Sequence, residues 1–246
     1  MKKPIFSIVV PAYNEENYLG YCLNSLVNQD FPKDLYEIIV VDNASTDKTA
    51  QIAKNFGVKV LPEPKKGVVF ARQKGTLAAK GEIAISFDAD SQAPDNWLAK
   101  IAQDFQKNPS AIAVAGFFWQ PEIPLFSKIY YEIFVRYLLF LSAKIRGYPF
   151  HISASNFAFK KEIFLKAGGY PLEAGRPADQ LAFLQKLKKF GKIIFDPTLM
   201  ITTSARRTKG RFITSIVVDG LTYTLLDPFF YKLTANHLPG EAPDIR

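Results

Sequence analysis

Short apolar runs alternate with segments of helical periodicity along the first half of the chain: Ile5 to Val10, Glu16 to Asn28, Glu37 to Val41, Thr46 to Phe56, then Val58 to Leu61. The first kind of run predicts buried strands and the second predicts helices, so the order reads as βαβ units around a mainly parallel sheet flanked by helices. Boundary residues agree. Ser45, Thr46 or Asp47 can cap the second helix, and Gly57 is placed to end it. A third helix is expected over Val68 to Lys80, ended by Gly81, and a strand over Glu82 to Phe87. Asp95 after Pro94 opens a helix to about Lys107, followed by a strand over Ala111 to Phe117. Cys22 falls in the apolar series Leu19, Cys22, Leu23, Leu26, a helical spacing, and reads as a small buried hydrophobe.

The pattern changes after Gln120. Ile123 to Phe150 is dense in Phe, Tyr, Leu and Ile, while Lys128, Glu132 and Arg136 recur at four-residue spacing and would form one narrow charged stripe on a helix. Charge interrupts it too often for a membrane span. Phe212 to Leu233 carries only Asp219, Asp227 and Lys232 among its charges and contains Pro228. Both stretches read either as core or subunit-contact helices or as interfacial membrane-docking segments.

A length of 246 residues with 48% hydrophobic content supports a sizeable core, in one large domain or one domain with an appended segment. A single cysteine excludes a disulfide framework and a cysteine-based zinc site, and two histidines, His151 and His237, argue against a histidine-rich metal site. The N-terminal MKKPIFSIVVPAYNEE is broken by Pro11 and followed by Asn14, Glu15 and Glu16, a strand rather than a signal peptide, so a cytoplasmic protein is expected. The net charge of +8 suits nucleic acid, an anionic membrane face or an anionic small substrate, or simply solvated helix faces. The clusters Lys65-Lys66, Lys160-Lys161, Lys186 to Lys192 and Arg206 to Arg211 are dispersed and lack a nucleic-acid-binding motif, so no nucleic acid partner is expected.

Four segments at or just after strand ends carry candidate chemistry. Val10-Pro11-Ala12-Tyr13-Asn14-Glu15 stops a strand at proline and exposes an aromatic and polar groups, or forms a capped turn. Asp42, closing the next strand, can accept from a base or ribose or can begin a helix. Lys66-Gly67-Val68-Val69-Phe70-Ala71-Arg72 is a glycine turn with a cation one helical turn on. Asp88-Ala89-Asp90 follows Glu82 to Phe87, and residues i and i+2 of an extended strand end point to one side, so both carboxylates can face one cation and the diphosphate it bridges. Magnesium or manganese suits such a site.

Taken in order, Val10 to Glu15, Val41 to Asp47, Gly67 to Arg72 and Phe87 to Asp90 resemble the motifs of the family 2 glycosyltransferases. The likeness continues in Ser155 to Lys161 and Ala167 to Tyr170 and covers roughly residues 5 to 210. It implies the GT-A fold, with a GT-A domain over 1–210 (a nucleotide-binding half about 1–118, an acceptor half about 119–210) and a C-terminal apolar, amphipathic segment over 211–246. It implies an inverting, divalent-metal-dependent glycosyltransferase using Mn2+ or Mg2+. The donor would be a nucleoside-diphosphate sugar and the acceptor a hydroxyl or phosphate of a glycan or a lipid-linked molecule, with cell-envelope glycan synthesis and peripheral contact at the cytoplasmic membrane face as options the aromatic segments open.

By the same resemblance Pro11, Tyr13, Asn14, Glu15 and Asp42 hold base and ribose, Gly67 and Arg72 lie by the nucleotide, Asp88 lies near ribose or metal, and Asp90 coordinates the ion. Arg206 and Arg207 can add donors to the phosphates or form a solvated basic turn. The family's general base sits in a Glu-Asp pair that begins a helix; here the pair is Ala178-Asp179, so Asp179 is the candidate base, with the N-cap role as its alternative and Glu173 as the spare. Loss of the first acidic residue also leaves open a non-catalytic nucleotide-sugar-binding protein with a degenerate site. A nucleotidyltransferase lacks support, because no glycine-rich triphosphate loop is present.

Overall fold

The computed structural model describes residues 3–122, 125–129, 135–150, 152–173 and 178–206, with the backbone alone at 125, 127, 178, 179 and 181. Strands β1 (Phe6–Ala12), β2 (Tyr36–Asp42), β3 (Lys59–Pro62), β4 (Ile83–Ser86), β5 (Ser91–Gln92), β6 (Ala111–Trp119), β7 (Phe157–Lys160) and β8 (Lys192–Thr203) form one sheet in the order β3-β2-β1-β4-β7-β6-β8-β5. The first four pair in parallel, as the βαβ pattern predicts. β7 is antiparallel to both β4 and β6, and β8 is parallel to β6. Two reversals about β7 therefore return β6 and β8 to the direction of β4, and the carboxyl ends of β1, β2, β4, β6 and β8 share one edge.

Helices α1 (Leu19–Val27), α2 (Thr49–Asn55), α3 (Val68–Ala78) and α4 (Trp97–Lys107) lie where the periodicity expects them, with shorter N-termini for α1 and α2. α1 starts late because the Tyr18 and Leu19 amides both donate to the Glu15 carbonyl, closing a turn after β1. At α2 it is Asp47, among the three expected caps, whose carboxylate accepts the Thr49 amide at 2.9 Å. Burial pushes the Asp47 pKa up, but hydrogen bonds from the Thr49 hydroxyl and amide and the Glu16 amide hold it below the usual range.

Strand alternation sorts the core into two layers. Phe6, Ile8 and Val10 of β1 pack with Leu19, Cys22, Leu23 and Leu26 of α1 and with Trp97, Leu98 and Ile101 of α4. Val9, Ile39 and Val41 point the other way, against Ala71 and Ala79 around α3. A Cβ at Gly75 would stand 2.3 Å from Val9 Cγ1, so α3 rests on the sheet by its backbone. Under β6 to β8 the second layer is aromatic, Phe157, Phe159, Phe164, Tyr170 and Phe183, contributed in part by α7 (Lys161–Lys166) and α8 (Ala178–Leu187). Buried Asn156 ties this half together: its Nδ2 donates to the Phe117 and Leu199 carbonyls at 2.9 and 2.8 Å, and its Oδ1 accepts the Trp97 indole N–H at 2.9 Å.

The aromatic stretch after Gln120 contributes α5 (Leu125–Ile129) and α6 (Arg136–Arg146). Glu132 of the expected charged stripe lies outside the described residues, as does everything beyond Arg206, including Phe212 to Leu233. Leu139 and Ala143 bury one face of α6, while Tyr137, Leu138 and Ile145 stay exposed. Among the described residues no helix is long and apolar enough to cross a membrane.

Asp104 of α4 is partly buried, and that burial, with the neighbouring Asp196 carboxylate, pushes its pKa up to about 6. A folded-state pKa above the unfolded one means that the folded chain holds the proton more tightly, so the site turns destabilising as pH rises through the window from about 4 to 6. Asp104→Asn is expected to raise Tm by about 2–4 °C at pH 8 in a thermal-unfolding series, with the gain vanishing near pH 3, where both states are protonated.

Candidate active site at the carboxyl edge of the sheet

The loop leaving β1 is braced against the loop leaving β2. Pro11 still lies within β1, paired with Val41, and Tyr13 beyond it is 42% exposed, with the Lys66 ammonium 5.4 Å from its ring centroid. Asn14 sits at φ +52°, a left-handed conformation that asparagine tolerates, and its Oδ1 accepts the Thr46 amide at 2.8 Å while its own amide donates to Ser45 Oγ. Asp42 ends β2 and accepts the Ser45 amide at 3.2 Å, so its carboxylate shapes the turn into α2. Asn43, which sequence reasoning passed over, is buried and does more: it donates to the Glu63 and Lys65 carbonyls and accepts the Gly67 amide at 2.8 Å. That bond fixes the turn opening α3, where Gly67 holds φ +130°, a region that L side chains rarely adopt.

One turn into α3, Arg72 is 3% exposed and its Nη2 lies 2.8 Å from Asp88 Oδ1. Arg72 and Ser86 line a small cavity with Ile152, Ala154, Phe157, Tyr170, Gln180 and Phe183, on the side of the aromatic layer. Arg72 is the buried partner and the Asp88 side chain is 24% exposed, so the pair is partly buried and removal of one partner is costly.

Asp90 is set by a local device. β5 follows it at once and pairs antiparallel with the end of β8, Ser91 with Thr203, sealed by the Ser91 hydroxyl donating to Thr203 Oγ1 at 3.0 Å and the Ser204 amide donating to the Asp90 carbonyl at 3.2 Å. Arg206, three residues beyond β8, thereby arrives over the pair. Its Nε and Nη2 lie 3.3 and 3.2 Å from Asp90 Oδ2, and Nη2 also binds Glu15 Oε1. Both carboxylate side chains are 5% exposed. The Tyr18 ring stacks under the guanidinium at 4.4 Å. Burial pulls the Arg206 pKa down, but the hydrogen bond and charge of Glu15, followed by the charge of Asp90, outweigh it and raise the value. The thiol of buried Cys22 records the same concentration of charge, since burial first and then Asp90, Asp88 and Glu15 push its pKa well up.

The structure thus brings Glu15, Asp88, Asp90, Arg72 and Arg206 together at one edge with Tyr13 and Gly67 on adjoining loops. Asp179 occupies the second position of α8, where the helix macrodipole favours a carboxylate, but its side chain and all of Arg207 lie outside the described residues. Glu173 is exposed. Among the described residues no three acidic, histidine or cysteine side chains cluster to hold a metal ion unaided. The residues nonetheless suit a hard divalent cation that arrives with its ligand: Asp90 supplies carboxylate oxygen, a cationic group already stands against it, and diphosphate oxygens would complete the coordination.

The family model described as Glycosyl transferase family 2 matches residues 7–167. A dolichyl N-acetyl-alpha-D-glucosaminyl phosphate 3-beta-D-2,3-diacetamido-2,3-dideoxy-beta-D-glucuronosyltransferase of Methanococcus voltae is 35% identical over 121 residues, covering 45% of this chain and 38% of that protein. A glucosyl-dolichyl phosphate glucuronosyltransferase of Haloferax volcanii is 25% identical over 191 residues, 71% of this chain and 58% of that protein. Among solved structures, the mannosyltransferase PcManGT from Pyrobaculum calidifontis, in complex with GDP-Man and Mn2+, superposes with a TM-score of 0.74 at 23% identity, covering 99% of this chain and 67% of that one. That likeness establishes the α/β fold. The chain spans between about two fifths and three fifths of the length of these curated relatives.

Arg72→Met is expected to leave the partly buried Asp88 carboxylate beside an apolar side chain and to lower stability by about 2 kcal/mol in urea unfolding. The double variant Arg72→Met/Asp88→Asn, lacking both charges, is expected to recover at least half of that loss.

Proposed function

Because the chain belongs to glycosyl transferase family 2, we propose that it transfers a sugar, with inversion, from a nucleoside-diphosphate donor to an acceptor hydroxyl or phosphate oxygen. The observation that carries this reading is the convergence of Glu15, Asp90 and Arg206 at the carboxyl edge of β1, β4 and β8, beside the Arg72–Asp88 pair. Open α/β sheets bind ligands outside the carboxyl ends of their strands. A departing nucleoside diphosphate gathers negative charge there, and Arg206 supplies a fixed guanidinium to meet it. A divalent ion bound with the donor supplies further charge neutralisation to that leaving group. Tyr13, exposed at the mouth, offers a flat face to the base, and Asp42 lies at the neighbouring strand end for the ribose.

Asp179 takes the acceptor proton in this proposal. Inversion requires the acceptor oxygen to attack opposite the leaving group while a base accepts its proton, and Asp179 stands in the first turn of α8, an end of a helix that favours a carboxylate. The competing reading, a binding protein with a degenerate site, rests on Ala178 in place of an acidic residue. Asp179→Asn is expected to lower kcat by about 10²–10⁴ while donor binding persists. Donor binding itself is read from a thermal-shift panel of UDP, GDP, dTDP, CDP and ADP with and without Mn2+. One nucleotide is expected to raise Tm only with the cation, and a wild-type chain that binds it without any turnover over a panel of acceptors would favour the binding protein.

Contact with a membrane completes the proposal, and it accords with the dolichyl-linked substrates in the relatives' names. Phe126 and Ile129 of α5 are 79% and 47% exposed, and Lys128 of the same helix lies 5.3 Å from the Trp119 ring at the carboxyl end of β6, the edge where the site opens. On α6, Tyr137, Leu138 and Ile145 are exposed with Lys144 and Arg146, and the described helix carries no acidic residue. Apolar and cationic groups on one exposed helix face suit a peripheral position on an anionic leaflet and a lipid-linked acceptor. Co-sedimentation with phosphatidylglycerol-containing vesicles at low salt is expected for the wild type and lost in Tyr137→Glu/Ile145→Glu; wild-type protein that stays wholly in the supernatant would remove the membrane component.

A further inference from the structure

Arg206 stands on the carboxylate that the nucleotide-binding reading assigns to the cation. Its Nη2 is shared between Asp90 Oδ2, at 3.2 Å, and Glu15 Oε1, and its Nε makes a second contact with Asp90 Oδ2 at 3.3 Å. A guanidinium and a divalent ion on the same carboxylate oxygen repel each other at contact distance, so each weakens the other's hold. We propose that Arg206 is the resident counter-ion of the Glu15–Asp90 pair and that donor binding is an exchange: the diphosphate and its cation take over Asp90, and the displaced guanidinium turns onto the phosphate oxygens. This inference rests on the metal-dependent donor reading above and goes beyond it in assigning Arg206 two successive partners.

Three features suit a side-chain exchange rather than a loop movement. The backbone leading into Arg206 is pinned just past the strand end, with the Ser204 amide donating to the Asp90 carbonyl at 3.2 Å and the Ala205 amide to Glu122 Oε2 at 2.6 Å. The guanidinium has a sliding surface, the Tyr18 ring 4.4 Å away, on which an arginine plane can shift without losing its stacking contact. The Arg206 side chain is 28% exposed, so its tip borders the open edge while the carboxylates it covers do not. Without ligand, the arrangement spares two buried carboxylates the cost of facing each other uncompensated. It also makes a metal ion alone a poor ligand, since the ion must expel an intramolecular cation without offering it a new partner. The diphosphate offers that partner, so cation and diphosphate bind with positive coupling.

The exchange is tested on the full chain with Mn2+ and with inorganic pyrophosphate as the diphosphate probe. Free Mn2+ is counted by electron paramagnetic resonance, and pyrophosphate binding by calorimetry at saturating Mn2+. For Arg206→Gln, affinity for Mn2+ alone is expected to rise about tenfold over wild type, and affinity for pyrophosphate with Mn2+ to fall about tenfold, the ordinary size of a coupling between charged sites. Arg206→Lys, which keeps the charge and loses the fork, should leave Mn2+ binding near the wild-type level. Asp90→Asn should abolish the gain when combined with Arg206→Gln. Unchanged or weaker Mn2+ binding in a folded Arg206→Gln protein overturns the exchange, while Mn2+-dependent pyrophosphate binding by the wild type would leave the donor reading standing. Absence of Mn2+ and pyrophosphate binding in wild type and variants alike overturns the metal-dependent donor reading along with the exchange.

Discussion

Carboxylates collected at one edge of a sheet repel one another, and the layout of this protein is governed by how that repulsion is offset. Glu15, Asp88 and Asp90 all lie near enough to the Cys22 thiol to raise its pKa. Each is met by an arginine from another part of the chain: Arg72 is 16 residues from Asp88, whereas Arg206 is 116 residues from Asp90 and 191 from Glu15. In the low-dielectric margin of a core such pairing offsets the cost of taking the charges out of water.

The topology serves that compensation. α4 crosses over from the β4 side to β6, and β7, antiparallel to both β4 and β6, fills the place between them and joins β6 and β8 to the parallel half. β5, only two residues long, then hooks the Asp90 turn to the end of β8. Asn156 holds the strands beneath, bonding to β6, to β8 and to Trp97 of α4 from the residue that precedes β7. The aromatic layer around Phe159 and Phe183 fills the volume under this half, with ring centroids 5.3 Å apart in an edge-to-face contact. A shift in any of these would move Arg206 relative to Asp90.

The same edge accounts for the division of labour among the loops. Those after β1 and β2 are cross-braced by Asn14, Ser45, Thr46, Asp47 and Thr49 through hydrogen bonds between side chain and backbone, so the surface around Tyr13 and Asp42 is preorganised before any ligand arrives. Asn14 and Asp42, which sequence reasoning counts as ligand-binding groups, hold these loops by accepting the Thr46 and Ser45 amides. α5 adjoins the carboxyl end of β6 through Lys128 and Trp119, whereas α6 runs back along β8, from Arg136 beside Met200 to Gly147 beside Ile193.

Much of this was legible in the chain itself. Elements whose apolar period is strong, β1, β2, α1 and α4, were placed to within a few residues, because burial of one face dictates that spacing whatever the neighbours are. The turn at Gly67 and the placement of Asp88 and Asp90 just after β4 were legible too, since they act through local backbone geometry, whereas β1 runs past the proline expected to stop it, to Ala12. Asn43 and Tyr18 were not, although an asparagine after a strand-end aspartate and an aromatic three residues after Glu15 were signals of a braced turn. The antiparallel entry of β7 was hidden because Phe157–Lys160 is short and apolar, equally at home in either direction. Periodicity and local turn chemistry thus determined the elements and the family of motifs, whereas only the tertiary structure decided that Arg206 rather than a nearer basic residue covers Glu15 and Asp90. Long-range charge pairing has no period in the sequence; it depends on which strand ends the sheet order brings to the same edge.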